Sequence, residues 1–124
     1  MIVDDEPSIC SALSQVLRRA GYDPVPALGA YEALALLSDS IAAMLVDLRM
    51  AHMRGDAFFY QASARFPKLR QRTLFITGDI SEDAAKLIAP TGCGYLEKPF
   101  HNVSLTDALR DLLAGQTGPA VGAA

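Results

Sequence analysis

Four short stretches of this chain place reactive side chains at the ends of apolar runs. "MIVDDE" sets Asp4 and Asp5 behind three apolar residues, "MLVDLRM" sets Asp47 behind another run, "LFITGD" presents Thr77 and "YLEKPF" presents Lys98. Two like charges ~4 Å apart repel by roughly 4 kcal/mol at an effective dielectric of about 20. Asp4, Asp5 and Glu6 therefore either point apart into water or share something positive. Carboxylates gathered at one point form a hard-oxygen site suited to Mg2+ (or Mn2+), which also keeps waters or phosphate oxygens. Lys98 adds a compact positive charge and Thr77 a hydroxyl donor. A divalent cation, a lysine, a hydroxyl and one exposed carboxylate suit the transfer of a phosphoryl group onto that carboxylate. Glu6 reads instead as an acid at a helix N-terminus, where the helix dipole favours it.

For these residues to meet, the elements around them must share one rim. Residues 1–3 form a short apolar strand. Pro7 suits the first turn of a helix, and Ile9, Leu13, Val16, Leu17 and Ala20 recur at helical spacing before Gly21 stops it. "YDPVPAL" is extended, and its two prolines confine it to a sheet edge. Residues 30–37 read as a second helix with Tyr31, Leu34 and Leu37 inward. "IAAMLV" is apolar without alternation, as in a parallel strand covered on both faces. A helix over 57–66 follows a loop containing Gly55; a strand over 72–77, a helix over 81–89 and a strand over 94–97 come next. Ser104 with Asp107 resembles a capping box, opening a last helix with Leu105, Leu109, Leu112 and Leu113.

Five strand–helix units in this rhythm predict an α/β fold, an open parallel sheet with helices on both faces. The proline-bearing second strand at an edge favours the order 2-1-3-4-5. Strands 1 and 3 are then neighbours at the switch point, where a ligand crevice opens at their carboxyl ends. Asp4, Asp5, Asp47, Thr77 and Lys98 all fall on that rim.

The 124 residues suit one domain, and an apolar fraction of 51% suits a packed core. A net charge of −3 and the lack of a basic stripe argue against direct nucleic-acid binding. No apolar run approaches the ~20 residues needed to span a bilayer, and no secretory signal opens the chain, so no membrane contact is expected of it. Cys10 and Cys93 read as reduced thiols packed as small hydrophobes, the usage of a cytoplasmic protein. His52 and His101 are isolated and lack a second ligand at helical spacing.

With "IVDDE", "LVDLRM", "ITGD" and "YLEKPF" in this order and at these separations, residues 1–114 resemble the receiver domain of two-component response regulators. The resemblance implies a flavodoxin-like (CheY-like) sheet and a phosphorelay role, with Asp47 as the phosphoacceptor. Asp4 and Asp5 become the acid pair holding Mg2+, with the Arg49 backbone carbonyl as a further ligand. Thr77 and Lys98 contact the phosphoryl group, and Lys98-Pro99 is expected to be cis. Tyr95 falls at an aromatic switch position coupled to Thr77, although an aromatic there also suits plain packing. A change at Asp47 is then read on the face of the fourth helix, fifth strand and fifth helix. The partner implied is a histidine kinase or a histidine phosphotransfer domain. The domain itself is a monomer or weak dimer, not an enzyme beyond self-phosphorylation or autodephosphorylation. Two positions depart from the family: Ala51 stands where proline is usual, and Arg54 where an acidic or small residue is commoner before Gly55.

Two rival chemistries share parts of this pattern. A haloacid-dehalogenase-type phosphatase also uses a strand-end aspartate with Mg2+, but needs a second aspartate where this chain has Arg49. A flavin-binding protein needs a phosphate loop after the first strand, where "DDEPS" is acidic. Residues 115–124, "GQTGPAVGAA", read as a flexible C-terminal tail. Only three residues precede the acids, where a strand of ~5 is typical. The expectation is therefore a segment of a longer chain, the C-terminal receiver of a hybrid sensor histidine kinase, with a stand-alone single-domain regulator as the alternative.

Overall fold

The computed structural model describes residues 1–78 and 81–115, so the expected tail over 115–124 lies, but for its first residue, outside the described residues. Five strands, β1 (Ile2–Val3), β2 (Pro26–Ala27), β3 (Met44–Asp47), β4 (Thr73–Thr77) and β5 (Gly94–Glu97), alternate with five helices. These are α1 (Pro7–Arg19), α2 (Ala30–Leu36), α3 (Gly55–Arg65), α4 (Glu82–Ile88) and α5 (Asn102–Leu113). All strand pairs are parallel and the order is β2-β1-β3-β4-β5, the expected CheY-like arrangement with the proline strand at an edge.

Strand alternation divides the core in two. Ile2, Leu45, Leu74, Ile76 and Leu96 face Cys10, Leu13 and Leu17 of α1 and Leu105 and Leu109 of α5. Val3, Met44, Val46 and Phe75 face α2, α3 and α4, where Phe58 and Phe59 fill the largest volume. Both faces are covered, which is why these strands are apolar without a period of two.

Several local expectations shift. Tyr31 is 63% exposed, not inward. Ala30, Ala33 and Leu37 take the buried face of α2 with Leu34 at its edge, and a residue one step past Ala30 is turned ~100° away from it. On α1, Cys10 and Ser14 share the buried stripe with Leu13 and Leu17, while Ala20 lies beyond the last turn. Gly21 at φ 94° ends that helix: its N–H donates to the Arg18 carbonyl and that of Tyr22 to the Leu17 carbonyl, a Schellman closure. Ser104 is not a cap, because α5 starts earlier with His101 at the cap position. Ser81 does cap α4, accepting from the Ala84 N–H. β3 starts at Met44, with Ile41 buried in the connection before it, and α3 starts at Gly55 itself.

Candidate phosphoacceptor site

The register explains why the charged residues meet. Val3 pairs with Val46, so Asp4 and Asp47 follow side by side at the ends of adjacent strands. Asp47 pairs with Ile76 and therefore lies on the α1–α5 side of the sheet. Leu96 lies on that side too, and alternation brings Lys98 there two residues later. The Lys98 N–H continues the ladder by donating to the Thr77 carbonyl at 2.8 Å, and Lys98-Pro99 is cis as expected.

Asp4 is fully buried. Its Oδ1 accepts from the Glu6 N–H at 3.0 Å and its Oδ2 from Lys98 Nζ at 3.1 Å. Lys98 Nζ is also 3.6 Å from Asp47 Oδ1, so one ammonium serves two carboxylates. Asp47 is only 5% exposed, more enclosed than the exposed carboxylate expected. Burial pushes its carboxyl up to about 6, with Asp4 and Asp5 adding to the rise; Lys98 and a hydrogen bond from the Arg49 backbone oppose it. Burial pulls the Lys98 ammonium down, but Asp47 and the hydrogen bond to Asp4 outweigh it and raise it above its ordinary value.

Asp5 is the open member of the group. Its Oδ2 accepts from the Ala51 N–H at 2.9 Å, a bond that a proline at position 51 could not make. The next residue, His52, sits at φ 71° in a three-residue turn closed by the Met53 N–H on the Ala51 carbonyl at 2.8 Å. Arg54 is engaged with Asp56 through Nε at 3.0 Å and Nη2 at 3.3 Å.

Asp4, Asp5 and Asp47 each offer an oxygen within 4.8 Å of the others. Three hard oxygens so placed, with a single lysine against them, fit a divalent cation that keeps part of its water shell. Thr77 ends β4 beside Asp47, and alternation sets it on the α2–α3–α4 side with Phe75 and Tyr95. Tyr95 is half-buried against that cluster, which accounts for it as a packing residue.

Sequence reading missed three supports. Cys10 Sγ donates to the Asp4 carbonyl at 3.3 Å, tying α1 to the end of β1. Ala51 holds Asp5, and Gly55 lies against the Asp47 peptide. Only Ala51 left a signal, as a departure from the family pattern.

Residues 1–110 match the family described as response regulator receiver domain. The chain is 32% identical over 116 residues to the transcriptional regulatory protein ZraR of Salmonella typhimurium, covering 92% of this chain and 26% of that one. It is 32% identical over 110 residues to the C4-dicarboxylate transport transcriptional regulatory protein DctD of Rhizobium meliloti, covering 88% and 24%. The chain thus spans about a quarter of the length of these curated relatives. Among solved structures it superposes on a CheY-like response regulator receiver domain protein from Methanospirillum hungatei with TM-score 0.84 and 26% identity, covering 93% of this chain and 92% of that one. The signal receiver domain of a signal transduction histidine kinase from Syntrophus aciditrophicus gives 0.80 and 25%, covering 92% and 88%.

Proposed function

The chain belongs to the response regulator receiver domain family, and from that membership we propose that Asp47 is the residue that accepts the phosphoryl group. A receiver is a phosphoacceptor signalling module, not an enzyme with its own substrate. The observation that carries the assignment is the shared lysine: Lys98 Nζ lies 3.1 Å from Asp4 and 3.6 Å from Asp47, with Asp5 completing the acid group.

In the transfer, an Asp47 carboxylate oxygen bonds to phosphorus as the P–N bond to a phosphohistidine breaks, its electron pair leaving with the imidazole nitrogen. Lys98 meets the negative charge arriving beside Asp47, and the Thr77 hydroxyl donates to a phosphoryl oxygen. Asp4, Asp5 and Asp47, with the Arg49 carbonyl, would hold Mg2+ or Mn2+, and the cation would supply neutralisation of charge on the phosphoryl oxygens. Self-phosphorylation from small phosphodonors and autodephosphorylation use the same groups. Thr77 and Tyr95 share one side of the sheet, so a pull on Thr77 is passed to the α4–β5–α5 face.

The partner is a histidine kinase or histidine phosphotransfer domain, met in the cytoplasm by a monomer or weak dimer, without contact of this domain to nucleic acid or membrane. No helix among the described residues is long and apolar enough to cross a membrane. A transcriptional regulator as parent chain is favoured by the names of the curated relatives, and a hybrid histidine kinase by the Syntrophus neighbour. The flanking reading frame decides between them.

Intact-mass measurement with acetyl phosphate and Mg2+ tests the acceptor. Wild type is expected to gain one phosphoryl group and Asp47→Asn none; equal labelling of both overturns the assignment. Millimolar Mg2+ is expected to raise the melting temperature of wild type but not of Asp5→Ala. A wild-type melting temperature indifferent to Mg2+ removes the cation from this reading.

A further inference from the structure

The first residue of α3 is pressed against the peptide that carries Asp47. Gly55 donates its N–H to the Leu48 carbonyl at 2.9 Å. A Cβ at Gly55 would stand 2.2 Å from the Asp47 carbonyl oxygen and 3.0 Å from both the Asp47 carbonyl carbon and Leu48 Cα. At Gly21, Gly29 and Gly92 the same atom would meet nothing among the described residues within 4 Å. The approach at Gly55 is backbone to backbone, so no rotamer change relieves it.

Both sides are tied to their surroundings, so a displacement is passed on rather than absorbed locally. The end of β3 is held in the sheet, with the Leu48 N–H donating to the Ile76 carbonyl at 3.1 Å. The start of α3 is held by buried Phe58 and Phe59 and by the two hydrogen bonds between Arg54 and Asp56. The loop that Leu48 and Gly55 close also contains Ala51, whose N–H holds Asp5. A displacement at Gly55 therefore moves Asp47 directly and reaches Asp5 through the loop.

We propose that Gly55 is a positioning residue for phosphoryl acceptance: lacking a side chain, it lets α3 seat on the Asp47–Leu48 peptide and so sets where the Asp47 carboxylate stands relative to Lys98, Asp4 and Asp5. The inference rests on Asp47 as the acceptor. Restoring ordinary contact with an alanine needs about 1 Å of movement, and misplacement of a reacting group on that scale slows a reaction by about a hundredfold.

The test compares Gly55→Ala with Ala62→Gly, a buried change further along α3 that weakens the helix without touching Asp47. Both are assayed with acetyl phosphate and Mg2+ at a temperature where circular dichroism shows them folded, and the Asp47 carboxyl 13C resonance is recorded. Gly55→Ala is expected to label ten- to a hundredfold more slowly with a displaced resonance, while Ala62→Gly keeps the wild-type rate and resonance. A folded Gly55→Ala that labels at the wild-type rate overturns the inference, as does an equal slowing of Ala62→Gly. A wild type that takes no label sinks the acceptor assignment and this inference with it; labelling of wild type and Gly55→Ala alike sinks this inference alone. Should Gly55→Ala not fold, wild type answers: its Gly55 amide resonance is expected to shift when beryllofluoride occupies Asp47, and an unmoved resonance overturns the proposal.

Discussion

The body of the sheet and its carboxyl rim are built from the same strands on opposite terms. Along the body, Ile2, Val3, Met44, Val46, Phe75, Ile76 and Leu96 are each fully buried and none carries charge. One residue further on, Asp4 and Asp47 are nearly as buried and share one lysine. Burying apolar area stabilises by roughly 25 cal/mol per Å2, whereas burying a second carboxylate against one ammonium works against folding. The drive to fold thus comes from the body, and it tolerates an unfavourable rim a few ångströms away. The rim's composition answers to its chemistry.

Phe75→Ala strains that contrast most. It empties the centre of β4, where Phe75 meets Phe59 edge-on at 5.8 Å, and is expected to lower stability by about 3–5 kcal/mol in urea titrations. The Mg2+ increment should survive unchanged, because body and rim contribute separately; a lost increment would show them coupled.

A rim substitution has the opposite sign. Asp47 in the unfolded chain ionises near the ordinary aspartate value of 3.8, but in the fold only at about 6. Below both values the proton is bound in either state and nothing differs. As pH rises between them the unfolded chain loses its proton first, so stability falls, and the loss is complete above pH 6. Without cation, Asp47→Asn is therefore expected to be more stable than wild type at pH 7, by at most about 3 kcal/mol. The advantage should shrink as pH falls from about 6 towards 4 and be gone below that. A constant difference across that range, followed by chemical denaturation, would assign the effect to packing.

Ser14 sharpens the comparison at the smallest scale, as a polar group misplaced in the body. Its hydroxyl is buried in α1 with no hydrogen-bond partner among the described residues. Ser14→Ala is expected to stabilise by about 1 kcal/mol in thermal unfolding, and a destabilised variant would reveal a bond the hydroxyl makes in solution.

Legibility follows the same division. Apolar runs that end abruptly in Asp47 or Lys98 are visible in a sequence because burial on both faces of a parallel strand leaves no polar residue until the rim. The strand order followed from two prolines. Tyr31 and Ser104 misled because each fitted a local rule that packing overrode: α2 buries its alanines, and α5 begins before the serine. Ala51 and Gly55 act through backbone atoms, an N–H and a missing Cβ, and composition carries no trace of which distant atom such a group will meet. Cys10 is similar, since its contact with Asp4 depends on how α1 lies on β1.

The position of Lys98 has a consequence for timing. Its distances to Asp4 and Asp47 differ by about half an ångström, so on the proposed reading it already stands between a carboxylate that stays as it is and one that would gain charge. Redirecting it needs no new encounter, only a side-chain adjustment between two partners it already has. If Asp47 is the acceptor as proposed, the pace of signalling through this domain is then set by the arrival and departure of the phosphoryl group or by repacking elsewhere, not by this lysine.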